Sequence, residues 1–392
     1  METKRFRFYN PVKLVSGDGA LDSLLYELGQ VHSQRPLIIT DQGVQKAGLI
    51  DLVRKVLEGS DQISISLYDN VPTDSSPSVV NEAAAAFYKD RCDAIIAVGG
   101  GSVIDTGKAV SILVSEGGKD ILELVGTKLK KAMKPLIAVP TTAGTGSEVS
   151  YAAMIKDADR NKKLGFFSYV LFPNTAILDP RMTLTLPPLV TAATAMDALT
   201  HAIEAFVCNQ KNTISDAYSV KSIELICKNL VNVLKNKADP QGRFHLANAA
   251  CMAGTAFSNS GVGLVHALGH ALGGICHIAH GVAMNIFLPH GLEFNMSGRK
   301  EAIGELLLPL SGPETYVRTR PEDRAAKTVA VIQELKDRLY RLAGLPRTLR
   351  EAGVKKGSLE EIARQGMEDP ALTFNPVKLS YADALEIVNK AF

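Results

Sequence analysis

Four of the chain's eight histidines fall within fifteen residues of one apolar, glycine-rich stretch, Gly261 to Gly281. Nothing else in the sequence restricts the fold as tightly. Burying several imidazoles beside Ala, Leu and Ile costs free energy unless each finds a partner. His266 and His270 stand four residues apart, so a helix presents both on one face. His280 follows a glycine-rich bend able to turn the chain back. A second block, Met196 to Glu204, repeats the spacing with Asp197 and His201. Two helices, each carrying such a pair, together with one further histidine, can surround a divalent metal.

The totals allow two domains and a substantial core in 392 residues. A formal net charge of +2 without a long basic run gives no reason to expect nucleic acid. No apolar run reaches the roughly 18 residues a membrane span needs, so no membrane partner is expected. The five cysteines form no C-x-x-C pair and fit reduced thiols. With no apolar segment behind the charged start, a cytoplasmic location is the expectation.

The first half alternates short apolar runs with amphipathic stretches. Residues 36–40, 64–68, 94–98, 135–139 and 175–178 read as strands, and 48–57 and 77–89 as helices. This alternation implies a mostly parallel sheet. From about Pro187 the strand-like runs vanish and alanine-rich helical patterns continue, broken at Asp239–Gly242 and Leu310–Pro313. The expected organisation is an α/β dinucleotide-binding domain over 1–184 and an all-helical metal-binding and substrate domain over 185–392. An edge strand near residues 5–15 is a candidate for pairing between copies, and a homo-oligomer, dimer or higher, is expected.

The strand ending at Val98 runs into Gly99, Gly100, Gly101 and Ser102, then into a helical pattern containing Asp105. A strand, a glycine turn and a helix start make an anion site from backbone N–H groups and the helix dipole. The triple glycine alone fits a tight turn equally well. A second strand leads into Pro140 to Glu148, where Thr141, Thr142, Thr145 and Ser147 crowd hydroxyls among glycines. Asp41 closes the strand at 37–40; an acid there holds a ribose hydroxyl and repels a 2′-phosphate, or else caps a helix. Three such positions at strand ends point to a dinucleotide, NAD rather than NADP.

Taken together, these motifs resemble the iron-dependent (group III) alcohol dehydrogenase family, of dehydroquinate synthase-like fold, along essentially the whole chain. The resemblance rests on 99–102 with Asp105, 140–148, Asp179-Pro180, 196–204, 263–281, 345–354 and Asn375-Pro376. It implies that Asp197, His201, His266 and His280 are the metal ligands, and that His270 lies near nicotinamide and substrate. It also implies that Gly99, Gly100, Gly101, Ser102, Asp105, Thr141, Thr142 and Thr145 contact the dinucleotide, with Asp41 near the adenosine ribose and Lys163 near a ribose. One departure is Asp74-Ser75-Ser76, where the family often carries Asn-Pro-Thr.

The implied activity is hydride transfer between NAD(H) and a short-chain alcohol or diol, with its aldehyde, at an interdomain cleft. Fe2+ is the implied metal, although three imidazoles and a carboxylate also suit Zn2+ or another divalent ion. A hydroxyacid–oxoacid transhydrogenase or a maleylacetate reductase would use similar parts. A dehydroquinate synthase-type lyase would need a basic, polar pocket, which the Ala, Leu and Gly around His266 to His280 do not offer. Glu148 and Glu204 could orient imidazoles, or serve as surface or capping groups. His277, His290 and Cys276 have no assigned role.

Overall fold

The computed structural model describes residues 5–129, 131–157 and 162–392, and within these not the side chains of Lys162 and Lys163. Two compact units emerge: Asn10–Leu186, and Pro187–Phe392 together with the segment ending at Tyr9. That segment is tied to the helical unit by the Tyr9 amide, which donates to Asn259 Oδ1 at 2.7 Å, and by Phe8 stacked on Tyr218 at 5.7 Å.

The first unit is built on six parallel strands: β1 (Lys13–Ser16), β2 (Pro36–Ile39), β3 (Ser66–Tyr68), β4 (Ala94–Gly99), β5 (Leu136–Pro140) and β8 (Thr175–Leu178). Their order across the sheet is β1-β8-β5-β4-β2-β3. Strands β2, β4, β5 and β8 are buried along their whole length, which is why they read as unbroken apolar runs. The five expected strands are all present, and the edge strand expected near residues 5–15 is β1, confined to Lys13–Ser16. Added is an antiparallel pair outside the main sheet, β6 (Ala152–Asp157) and β7 (Lys162–Phe167).

Local chemistry sets the boundaries. Ser76 caps the helix Pro77–Lys89, and Asp239 caps Pro240–Ser258 through the Gly242 amide at 3.0 Å, with proline in the first turn of each. The sequence break at Asp239–Gly242 is thus a helix start. Helix α1 (Gly101–Glu116) follows β4 with Gly100 at its N-cap and no side-chain cap.

The second unit is helical, and three of its helices matter most: α2 (Pro188–Val207), α3 (Leu264–Cys276) and α4 (His280–Glu305). Alanine recurs through α2, favouring helix and letting neighbours approach closely. From Thr191 to Val207 only Thr194 is not buried, so α2 is a central helix whose polar residues must be satisfied from inside the protein. The turn before α4 is made by His277, left-handed at φ 56° at the end of α3; Gly273 and Gly274 lie within that helix. No helix among the described residues is long and apolar enough to cross a membrane.

Candidate metal centre

Buried helix α2 presents four polar side chains in two turns, and their partners sort them. Thr200 bonds back to the Met196 carbonyl at 2.8 Å. Glu204 accepts the Val265 amide at 2.8 Å and lies 2.5 Å from His266 Nδ1. That leaves Asp197 Oδ1 and His201 Nδ1, buried and without a hydrogen-bond partner among the described residues, a condition they share with His266 Nε2. Three such atoms in one place are costly. A bound cation satisfies all three, so the donor set fits a divalent metal.

The fourth member is His280, the first residue of α4, whose Nε2 lies 3.3 Å from Asp197 Oδ1; His201 Nδ1 lies 3.8 Å from the same oxygen. One donor atom from each of Asp197, His201, His266 and His280 falls within 4.8 Å of all the others. The rings of His201 and His266 are 4.5 Å apart, and Phe257 stacks on His201 at 4.4 Å. Burial drives His201 down to about 3 and His266 well below its usual value. Both therefore stay neutral and keep the lone pair a metal needs. One carboxylate and three imidazoles make a borderline-hard donor set.

Glu204 has two duties. It occupies the N-terminus of α3 alongside Asn375, whose Oδ1 accepts the Leu264 amide at 3.1 Å. It also fixes which nitrogen of His266 is protonated, leaving Nε2 to face the group. Burial pushes its carboxyl up to about 7, against the backbone amides of Gly263, Val265 and His266, which favour the anion. Glu204→Gln would set an amide N–H against the His266 N–H. Metal affinity, measured by chelator competition, is then expected to fall about 10–100-fold.

His270 stands outside this set. Its Nδ1 is 2.9 Å from Asp369 Oδ2, and its ring stacks on His280 at 5.3 Å. Asp369 lies 99 residues along the chain from His270, and no local sequence signal marks it.

In the α/β unit, β4 and β5 pair with Gly99 opposite Pro140, which sets their two loops side by side. The glycines answer a close approach. A Cβ on Gly99 would meet Val103 Cγ2 at 2.5 Å, and one on Gly101 would meet Thr145 Cγ2 at 2.7 Å. Gly100 faces Thr142. The Thr141 amide donates to the Gly99 carbonyl at 3.0 Å, and Gly146 takes the left-handed turn at φ 62°. Ser102 Oγ donates to the Thr73 carbonyl, and Thr106 reaches Ser75 at 2.6 Å, so the Asp74–Ser76 departure lies in a loop fastened to α1. Asp105 accepts from Ser147 Oγ and from the Met154 amide at 3.0 Å, an engagement that fixes the hydroxyl-rich loop. Asp41 caps the short helix Gln42–Lys46 through the Val44 amide at 2.8 Å. Lys163 is on β7, and its side chain lies outside the described residues.

One buried group escapes the sequence. Lys108 is 1% exposed and donates to the carbonyls of Ser150 at 2.8 Å and Ala152 at 2.7 Å, tying the loop after β5 to α1. Burial draws its ammonium down to about 8. Asp105, 4.0 Å away, and Glu148, pushed up to about 7 by burial, are its electrostatic partners. The Asp105-x-x-Lys108 spacing is the available signal. Glu204 is therefore the glutamate that orients an imidazole, while Glu148 serves the α/β unit.

The chain matches the sequence model of the iron-containing alcohol dehydrogenases over residues 11–180, and that of the Fe-containing alcohol dehydrogenase family, C-terminal, over 191–392. Alcohol dehydrogenase 4 of Saccharomyces cerevisiae is 35% identical over 390 residues, covering 98% of each chain. The NAD-dependent methanol dehydrogenase of Bacillus methanolicus is 32% identical, covering 98% of this chain and 99% of its own. The crystal structure of a 1,3-propanediol oxidoreductase superposes with a TM-score of 0.93 at 31% identity, over 99% of this chain and 100% of the other.

Proposed function

The chain belongs to the iron-containing alcohol dehydrogenase family, and on that premise we propose that it interconverts a short primary alcohol or diol with its aldehyde. It is a metal-dependent, NAD-linked oxidoreductase. The carrying observation is the convergence of Asp197, His201, His266 and His280 around three buried atoms that lack protein partners. We assign these four as the ligands and iron(II) as the native metal, with zinc or another divalent ion able to use the same donors. NAD over NADP is supported by Asp41, which its cap holds at the end of β2. The glycine loop at 99–102 and the threonines at 141, 142 and 145 supply backbone and hydroxyl donors for the dinucleotide, and Lys163 is assigned to a ribose.

A metal held by these ligands supplies Lewis acidity towards a substrate oxygen, and NAD supplies the hydride acceptor. The chain's own residues do the rest. Asp197 contributes the single negative charge of the ligand set, and Glu204 fixes the direction of His266. His270, over a quarter exposed, is assigned to take the hydroxyl proton and pass it to water. The five cysteines, none of them in a disulfide, support a cytoplasmic location. The exposed Leu14 on edge strand β1 supports a homo-oligomer.

The test follows NADH absorbance with anaerobically prepared, iron(II)-loaded protein and a panel of short aldehydes, with NADPH as comparison. Loss of absorbance that a chelator abolishes, faster with NADH, is the expected result. Silence from folded, fully loaded protein with both coenzymes would instead favour a transhydrogenase that retains its coenzyme, or a lyase.

A further inference from the structure

We propose that Asp369 is a positioning residue: it fixes the tautomer and direction of His270, holding that ring out of the metal's ligand set and turning its Nε2 to the substrate. The proposal rests on the dehydrogenase reading above and adds a residue to it.

By distance His270 is a natural fifth ligand. It sits one turn from His266 on the same face of α3, with its ring 5.8 Å from that of His266 and stacked on His280 at 5.3 Å and 16°. Yet only the other four residues bring donor atoms within 4.8 Å of one another. The restraint is visible in Asp369, whose Oδ2 lies 2.9 Å from His270 Nδ1. Its other oxygen accepts the Ala371 amide at 2.8 Å, which anchors the carboxylate at the head of the turn Pro370–Phe374. Burial opposes the Asp369 anion, but the hydrogen bond from His270, the attraction of that imidazole when charged and the Ala371 amide together keep the carboxyl below its usual range.

An ionised carboxylate only accepts hydrogen bonds, so the neutral imidazole must carry its proton on Nδ1. Nε2 then bears the lone pair. With the ring pinned through Nδ1, that lone pair stays available to substrate instead of turning to the metal. In alcohol oxidation the hydroxyl proton goes to Nε2, and two electrons leave the carbinol carbon as hydride to NAD+. A carbonyl and NADH result, and Nε2 later returns its proton to water.

Asp369→Asn separates the roles. The amide oxygen can keep the Ala371 bond, while the amide N–H faces His270 Nδ1 and forces the imidazole proton onto Nε2. In wild-type background, kcat is expected to fall about a hundredfold, with KM and metal per chain unchanged. In a His270→Ala background the same substitution should change kcat by less than about twofold. Cobalt(II)-substituted Asp369→Ala gives a second readout: its visible spectrum should depart from that of wild type as the released imidazole joins the ligands. An equal loss in both backgrounds, loss of metal along with turnover, or an unchanged cobalt spectrum would each overturn the assignment. Failure of the dehydrogenase reading looks different: wild-type protein itself would then show no NAD-linked turnover, while the cobalt spectra would still report the hold on His270.

Discussion

Asp197→Ala is expected to yield a folded protein that retains no metal and turns over alcohol about a thousandfold more slowly, above the 10–100-fold cost of losing an outer partner. Asp197 is the one anionic donor of the four, and its Oδ1 lies 3.3 Å from His280 and 3.8 Å from His201. Without it, three neutral imidazoles must hold a doubly charged ion alone. A second effect runs in the opposite direction. Asp197 Oδ1 is a buried carboxylate oxygen with no hydrogen-bond partner among the described residues, so once the metal is stripped, alanine removes that cost while favouring helix. The metal-free variant should therefore melt above the metal-free parent, by roughly a few degrees. Elemental analysis, NADH absorbance and two melting curves test both effects. One metal per chain in Asp197→Ala would show that the four residues are not the ligand set.

Gly281→Ala is expected to weaken metal binding about tenfold or more and to cost about 1–3 kcal/mol of stability. A Cβ at this position would lie 2.2 Å from the Ala193 carbonyl oxygen and 2.6 Å from its carbon. The obstacle is backbone within α2, which no rotamer change relieves. The first turn of α4 must move away, and His280, the residue next to Gly281, moves with it. A displacement of about 1 Å is enough to spoil a metal site. Gly274→Ala is the control, because nothing lies within 4 Å of its added Cβ. Equal metal affinity in the two variants would refute the steric account.

The parallel sheet is legible in the sequence because strands buried on both faces are written as continuous apolar runs, as in Ala94–Gly99. The metal group is legible because a polar pair at i, i+4 on an apolar helix is too costly to bury unless something binds it. The pair β6 and β7 is not, since Ala152–Asp157 and Lys162–Phe167 carry neither an apolar run through their whole length nor a strict apolar and polar alternation in sequence. The bend before His280 falls elsewhere than its paired glycines suggest. It lies at His277, where a helix ends in left-handed geometry. Asp369 is illegible for a different reason, and Lys108 has only its spacing from Asp105 to mark it: their importance lies in burial and in partners brought together by tertiary packing. Asp41 reads in the sequence as either a coenzyme acid or a cap, and the structure gives the cap directly.

Two of the close approaches described above differ in how freely the chain can drift. The hollow over Gly101 is filled by a side chain, the Thr145 methyl. A smaller residue at 145 would open space for a larger one at 101, so these positions can exchange volume over generations and should vary together. The hollow over Gly281 is filled by the carbonyl of residue 193. Every amino acid carries that carbonyl, so no replacement at 193 can make room. A lineage that keeps its metal has a negotiable glycine at the start of α1 and a fixed one in the first turn of α4.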